Sequence, residues 1–451
     1  MRERLRLSPS LVWLALLLSL APAMLPAQGW AAGETPNAII VIIDGARYSE
    51  TFGDPTHRNI PHIWNDLRPQ GTIHTGFYNH GRTVTQGAHA TMLTGNDTWL
   101  RSPGNLAAEL CRPATPTLFE YLRSAIGAEA TQAWMVANGG MPSLEAMTFS
   151  IHPLYGAQHG ASWRPGPQWG DDEDVGQEVS DIMDEYHPRL LMVNLHGTDR
   201  WAHQGNWARY NERIRNADNL TYLLWQKIQS DPFYADQTTL FVTTDHGRHS
   251  YSFRDHGDGC TGCQHVFFLA LGPEIGRGVE ISAPRRYLED IGPTLGWLMG
   301  VPVPYVVDGE VMTELLSVAP PEIPSPYLPT DGLEVTIAVR DESGLYRTDF
   351  WPGETVFFEI SVASRAASEV LLYQATARGG VLPDGEVGEF GWYFGEPPTF
   401  LSPGDYWACT YSMQLPSYTP LGEWPGLVEF RGVDAEGALV HGAASLSITI
   451  E

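Results

Sequence analysis

The sequence predicts an α/β protein built on a mostly parallel sheet with helices on both faces, followed by an all-β sandwich. Three observations carry this. Between residues 38 and 302, short apolar runs alternate with longer amphipathic stretches. Residues 319–330 then hold five prolines in twelve, as in an extended linker. Beyond them, short β-type runs are separated by Gly, Pro and Asp turns, with no helical period.

In the first region Ala38–Ile43 is a continuous apolar run, as expected of a strand buried on both faces. Thr131–Ala137, Leu190–Leu195, Thr239–Thr243 and Val266–Leu271 read the same way. Tyr210, Ile214, Ala217, Thr221, Leu224 and Ile228 recur at helical spacing, as do Leu118, Tyr121 and Leu122 after Pro116. In the last region Leu333–Val339, Thr355–Val362, Glu369–Tyr373, Leu427–Phe430 and Ser445–Ile450 read as strands of an immunoglobulin-like sandwich. Its aromatic residues, Trp392, Tyr406, Trp407 and Trp424, fit core packing better than carbohydrate stacking.

The N-terminus carries Arg2, Arg4 and Arg6, an apolar stretch from Leu11 to Ala27, and then Gly29, Ala31 and Ala32. This is the pattern of a secretory signal peptide. Pro22 and Pro26 interrupt the apolar run, which argues against a retained anchor. The expected division is a signal peptide over 1–31, an α/β domain over 32–318, a linker over 319–332 and a β-sandwich over 333–451. The protein is therefore expected to be exported, periplasmic or extracellular, with no stable membrane insertion after cleavage.

The 451 residues are 43% hydrophobic and 18% charged, an ordinary globular balance. A net charge of −26 argues against nucleic-acid binding, because a polyanion is repelled by most of the surface. Losing Arg2, Glu3, Arg4 and Arg6 with the leader leaves about −28. Such a chain can still take a phosphate substrate where bound cations set the local field. The sequence leaves the oligomeric state open.

In parallel sheets with crossover helices, reactive groups gather beyond the carboxyl ends of the strands. Asp44 follows the first apolar run, His196 and Asp199 follow Leu190–Leu195, and Asp245 and His246 follow Thr239–Thr243. Carboxylate and imidazole are zinc ligands. Two divalent metals about 4 Å apart can neutralise a phosphoryl group and assist both the attacking and leaving oxygens. Taken singly, each of these residues has a plainer use: Asp44 could cap a helix, and Thr85 could be an ordinary loop threonine.

Read together, the segments IIVIIDG (39–45), TQGAHATMLTG (85–95), Asp199-x-x-x-His203, Thr244-Asp245-His246-Gly247 and DIGPTLGWLMG (290–300) resemble the alkaline phosphatase superfamily. They are most similar to its nucleotide pyrophosphatase/phosphodiesterase branch. The resemblance implies a sulfatase-like fold and two divalent metal ions, with zinc the expected metal. Asp44, Thr85, Asp245 and His246 would hold one, and Asp199, His203 and His256 the other. It implies Thr85 as a metal-activated nucleophile, a covalent phospho-threonine and release by water. Asn105 and Arg82 are the implied substrate contacts. Arg47, Arg82 and Arg200 all lie near these segments, which keeps a monoester substrate open beside diesters and pyrophosphates.

This sequence departs from the branch after the nucleophile, where Gln86-Gly87-Ala88 replaces the usual Phe-Pro-Asn. That puts the substrate pocket in doubt. A formylglycine sulfatase requires Cys or Ser at position 85, and threonine cannot give the aldehyde. For the last ligand His265 is an alternative to His256, which is followed by Gly as in relatives. His89 reads as structural, His196 as a satisfied strand-end residue or a substrate contact, and His249 as a group behind the ligands.

Cys260-x-x-Cys263 reads as a short disulfide, a redox pair or a third metal site, with the disulfide preferred for an exported chain. Cys111 and Cys409 could pair. The expected function is an exported phosphoesterase acting on a small-molecule, lipid or sugar phosphate ester. The alternatives are a transferase of the same group and a binding protein that retains the fold.

Overall fold

The computed structural model describes residues 35–96, 100–101, 111–318 apart from 114, 139–140, 153–154, 168–169, 302 and 304–306, and 330–451 apart from 367, 380–391, 394–398, 405, 416, 418, 420 and 435–438. The expected signal peptide over 1–31, Asn105 and most of the proline-rich segment lie outside the described residues.

The first region forms a nine-stranded sheet. Its strands are β1 (Asn37–Ile43), β2 (Thr72–Tyr78), β3 (Ala133–Ala137), β4 (Ser162–Pro165), β5 (Leu190–Leu195), β6 (Thr238–Thr243), β7 (His265–Leu271) and β8 (Val279–Ile281), with Arg286–Tyr287 beside β2. The spatial order is β8-β2-β7-β6-β1-β5-β3-β4. Neighbours run parallel, except that β7 is antiparallel to both β2 and β6. An antiparallel return needs no crossover helix, so the 244–264 connection stays at the carboxyl end of β6.

β1 divides its side chains between two cores, as the period of a strand dictates. Ile40 and Ile42 pack with Ala88, Met92, Leu118, Leu122 and Leu295 on one face. Ile39, Val41 and Ile43 pack with Val179, Ile182, Tyr210, Ile214 and Ile228 on the other. The helices that cover the sheet are α1 (Thr85–Thr94), α2 (Leu118–Ile126), α3 (Asp172–Tyr186), α4 (Gly197–His203), α5 (Trp207–Ser230) and α6 (Ile291–Leu298). Among the described residues no helix is long and apolar enough to cross a membrane.

The C-terminal region is β-rich. A three-stranded antiparallel sheet joins Leu333–Arg340, Thr355–Ser364 and Tyr406–Gln414. A second, mostly antiparallel sheet contains Val370–Gly379, Gly422–Asp434 and Leu439–Ile450. Leu333, Ile360 and Val362 from the first share a core with Val370, Val428, Phe430 and Val440 from the second. Trp407 packs edge-on to Phe430, with ring centroids 5.8 Å apart.

α2 illustrates how a local signal becomes a global constraint. Thr117 and Glu120 form a reciprocal capping box. The Glu120 carboxylate also accepts from the Ser150 backbone N–H at 2.9 Å and its hydroxyl at 2.7 Å. Burial pushes this carboxyl up to about 7, against the pull of its hydrogen bonds from Thr117 and Ser150. A carboxyl raised in the folded state stabilises most below its unfolded pKa and loses that contribution as pH rises through the folded value. Wild type should therefore lose up to roughly 3 kcal/mol relative to Glu120→Gln between about pH 4.5 and pH 7. Urea unfolding of both chains at the two pH values checks this, and parallel stability curves would contradict it.

Candidate active site

The three central strands β6, β1 and β5 lie side by side, with Ile42 opposite Thr243 and Ile43 opposite Leu195. Their carboxyl ends therefore deliver Asp245 and His246, Asp44, and His196 to one edge. α4 starts directly after β5 and places Asp199 and His203 one turn apart on the same face. α1 begins at Thr85 and aims its N-terminus at the same spot.

Two sets of donor atoms result. In the first, His246 Nε2 lies 3.7 Å from Asp44 Oδ1, 3.5 Å from Asp245 Oδ2 and 3.5 Å from Thr85 Oγ1. In the second, Asp199 Oδ2 lies 3.4 Å from His203 Nε2, Asp199 Oδ1 lies 3.6 Å from His256 Nε2, and the two imidazole nitrogens are 3.1 Å apart. The sets adjoin, since the His246 and His256 rings stack at 3.8 Å.

The donor spacings suit divalent cations: Asp44, Asp245 and His246 bring one ligand atom each within 4.8 Å of one another, and Asp199 does so with His246 and His256, while His203 approaches the other Asp199 oxygen. Metal–ligand bonds of ~2.1 Å in a tetrahedron imply donor–donor edges of roughly 3.4 Å. Asp44 Oδ1 and Asp245 Oδ2 are buried without a hydrogen-bond partner, although an orphaned buried carboxylate oxygen is costly. Burial, followed by repulsion from Asp245 and Asp199, pushes the Asp44 carboxyl up to about 8. A cation between these groups removes both penalties.

The imidazoles are oriented for the same purpose. A carbonyl can only accept, so His246 Nδ1 donates to Gly247 O at 2.9 Å and His256 Nδ1 to Thr83 O at 2.8 Å. In the neutral rings this leaves Nε2 with its lone pair facing the site. Burial holds the His246 imidazolium pKa down to about 4 despite Asp245. The backbone supports the carboxylates: Gly45 and His246 N–H both donate to Asp245 Oδ1, at 3.0 and 2.9 Å.

Three supporting residues were not identified as such from the sequence. Asn194 Nδ2 donates to Asp44 Oδ2 at 3.0 Å, and His196 Nδ1 lies 3.1 Å from the same oxygen. Asp44, with Asp199 and Asp172, raises His196 to about 9 against the effect of burial. The third is Arg248, which is fully buried and ion-paired to Asp199. Burial works to raise the Asp199 carboxyl, but Arg248, His196, His246 and His203 hold it at about 2. Arg248 also donates to Gly45 O at 3.3 Å and Arg254 O at 3.0 Å. Gly45 has φ +66°, and a Cβ there would lie 2.5 Å from Arg248 Nη2, so this position requires glycine. The sequence signal for Arg248 was only its place after Asp245-His246-Gly247.

The remaining candidates fall as follows. His265 is engaged elsewhere: its Nε2 lies 2.9 Å from Thr75 O, and its ring stacks on Tyr48 and Tyr78 at 3.7 and 4.7 Å. His256, not His265, reaches the second set. His89 is buried, with Nδ1 2.8 Å from Thr85 O. Arg47 is committed to Glu50 through two contacts of 2.7 and 2.9 Å. Arg82 is exposed, three residues before Thr85. Cys260 and Cys263 are free thiols with sulfurs 3.6 Å apart, so the preferred short disulfide is not formed. Cys111 is also a free thiol, and the Cys409 side chain lies outside the described residues.

A search of the curated proteins returned no match. Among solved structures, murine ectonucleotide pyrophosphatase/phosphodiesterase 5 is 16% identical with a TM-score of 0.46, covering 62% of this chain and 100% of its own. A putative sulfatase from Bacteroides thetaiotaomicron is 13% identical with a TM-score of 0.49, covering 74% and 83%. A phosphonate monoester hydrolase of Agrobacterium radiobacter is 15% identical with a TM-score of 0.47, covering 68% and 80%. The Sulfatase family model matches residues 36–301, more than half of the chain. Members of this superfamily are hydrolases of sulfate and phosphate esters that use divalent metal ions. The chain belongs to the sulfatase family, within the alkaline phosphatase-like superfamily.

Proposed function

We propose that this protein is an exported, metal-dependent phosphoesterase that uses Thr85 as its nucleophile. One observation carries the reading: the Thr85 hydroxyl, at the N-terminus of α1, stands 3.5 Å from His246 Nε2 beside the unpartnered oxygens of Asp44 and Asp245. Asp44, Thr85, Asp245 and His246 would hold one divalent ion, zinc by the chemistry of the donors, and Asp199, His203 and His256 the other. When bound, these ions supply charge neutralisation at the phosphoryl oxygens and acidify coordinated hydroxyl groups.

The chain's own residues supply the rest. Thr85 Oγ1 attacks phosphorus as the ester oxygen leaves with a proton as an alcohol, giving a phospho-threonine. Water then cleaves the phosphorus–oxygen bond to Thr85 and restores the hydroxyl. The N-terminal backbone N–H groups of α1 point at the developing anion, where the helix dipole favours negative charge. Gly247 O and Thr83 O hold His246 and His256 in a single orientation. Asn105 and Arg82 are the proposed substrate contacts, and diesters or pyrophosphates the preferred substrates. The Arg-flanked apolar leader supports export.

Threonine at position 85 sets this reading apart from sulfate ester hydrolysis through formylglycine. Aryl phosphate mono- and diesters and an aryl sulfate, assayed with and without chelator, test it. The expected result is phosphate ester cleavage lost in chelator and restored by zinc, with little sulfate release. Chelator-insensitive cleavage, or sulfate hydrolysed faster than phosphate, would contradict it.

A further inference from the structure

The loop between β6 and β7 carries a second cluster, separate from the two donor sets around Thr85. His249, Asp258, Cys260 and Cys263 bring one ligand atom each within 4.8 Å of one another. The sulfurs of Cys260 and Cys263 are 3.6 Å apart, and His249 Nδ1 lies 3.7 and 3.5 Å from them. Asp258 Oδ1 lies 3.3 Å from Cys263 Sγ, and Asp258 Oδ2 lies 2.8 Å from His249 Nδ1.

These separations decide between the chemistries open to a C-x-x-C. A disulfide joins its sulfurs at ~2.05 Å. Tetrahedral zinc, with bonds of ~2.3 Å to sulfur and ~2.0 Å to nitrogen or oxygen, sets sulfur–sulfur edges near ~3.8 Å and sulfur–nitrogen edges near ~3.5 Å. The sulfur–sulfur and sulfur–imidazole separations have the second geometry, while the carboxylate, 2.8 Å from His249 Nδ1, stands closer than the ~3.3 Å nitrogen–oxygen edge and would draw back around an ion. We infer that His249, Asp258, Cys260 and Cys263 form a structural zinc site with two thiolate ligands, one imidazole and one carboxylate.

The surroundings suit a closed structural site. Cys263 is fully buried and His249 nearly so, while Asp258 is exposed, leaving one side open for the ion to enter. The turn is preformed, with Cys263 and Gln264 N–H donating to Cys260 O at 2.8 and 3.0 Å, and Cys260 N–H to Asp258 Oδ1 at 3.0 Å. The two halves of the loop are also tied together: Arg248 N–H donates to Gly262 O at 2.9 Å, and Gly247 N–H to Cys263 O at 2.8 Å. His256 sits inside the span that the ion closes, between His249 and Asp258. A cation here fixes the segment that presents His256 to Asp199 and His203, and does so without chemistry of its own.

Cobalt substitution of the full chain, isolated without reductant, tests this independently of catalysis. The cluster contains the thiolates, whereas the donor sets around Thr85 contain none. The cobalt protein should show sulfur-to-cobalt charge-transfer absorption that is absent in Cys263→Ser and retained in Asp245→Ala. Zinc content should fall by one ion per chain in Cys263→Ser. Cys260 and Cys263 of wild type should resist iodoacetamide until chelator is added, a measurement that stands even if the variant fails to fold. A disulfide between them in the isolated protein, absence of the charge-transfer band, or alkylation unaffected by chelator would overturn the assignment.

Discussion

Thr85→Ala should lower kcat for phosphate ester cleavage by at least ~10³-fold, with little change in folding. Thr85 is only partly buried and occupies the first turn of α1, where no side chain caps the helix and alanine fits without strain. The loss follows from the proposed role of the hydroxyl in bonding to phosphorus; the neighbouring Thr244 hydroxyl is fully buried and donates to His246 O at 2.9 Å, so it does not replace Thr85 Oγ1. Thr85→Ser should retain a substantial part of the rate, since it keeps the oxygen and loses a methyl group. Steady-state turnover of the preferred phosphate ester, with metal content measured alongside, checks both. Unchanged turnover in Thr85→Ala would remove the covalent route, whereas equal losses in both variants would point to packing at α1.

Arg248→Met should destabilise the chelator-treated protein by about 3–5 kcal/mol, the typical penalty for breaking a buried ion pair from one side. The guanidinium is fully buried and reaches Asp199, Gly45 O and Arg254 O together. Removing it takes the guanidinium from a buried carboxylate and from Arg254 O, while Gly45 O keeps the Tyr210 hydroxyl at 3.4 Å. Arg248→Lys should recover only part of the loss, because one ammonium cannot reproduce the planar fork that joins three acceptors. Added zinc should narrow the gap between Arg248→Met and wild type, because a cation on Asp199 substitutes for the lost charge. Denaturant unfolding with and without zinc reads both effects. An Arg248→Met chain as stable as wild type in chelator would show that Asp199 does not depend on this partner.

Much of the architecture was legible because the central strands are buried on both faces. β1 reads as an unbroken apolar run from Ala38 to Ile43, β5 and β6 as mostly apolar runs broken by Asn194 and by threonines, and their ends carry Asp44, His196 and Asp245 in order along the chain. β2 was not legible: Thr72, His74, Thr75 and Gly76 interrupt its pattern, and its pairing with β7 shifts register between His74 and Phe77. β4, with the sequence SWRP, lies at the sheet edge and shows no apolar alternation. In the C-terminal region Tyr406–Gln414 escaped notice because Thr410, Ser412 and Gln414 break its apolar pattern.

The site divides in the same way. Asp199 and His203 announce themselves by helical spacing, and Asp245 with His246 by adjacency. Arg248 does not, because its partner Asp199 lies 49 residues upstream and only the fold brings them together. The Cys260–Cys263 pair was visible as a motif, but the choice between a disulfide and a metal depends on sulfur positions that spacing does not contain.

Zinc-edge anomalous diffraction from crystals of the full chain tests the central claim most directly. Two peaks about 4 Å apart are expected, one within bonding distance of Thr85 Oγ1, Asp44, Asp245 and His246, the other within bonding distance of Asp199, His203 and His256. A zinc-saturated crystal with no anomalous density beside the Thr85 hydroxyl would contradict the account.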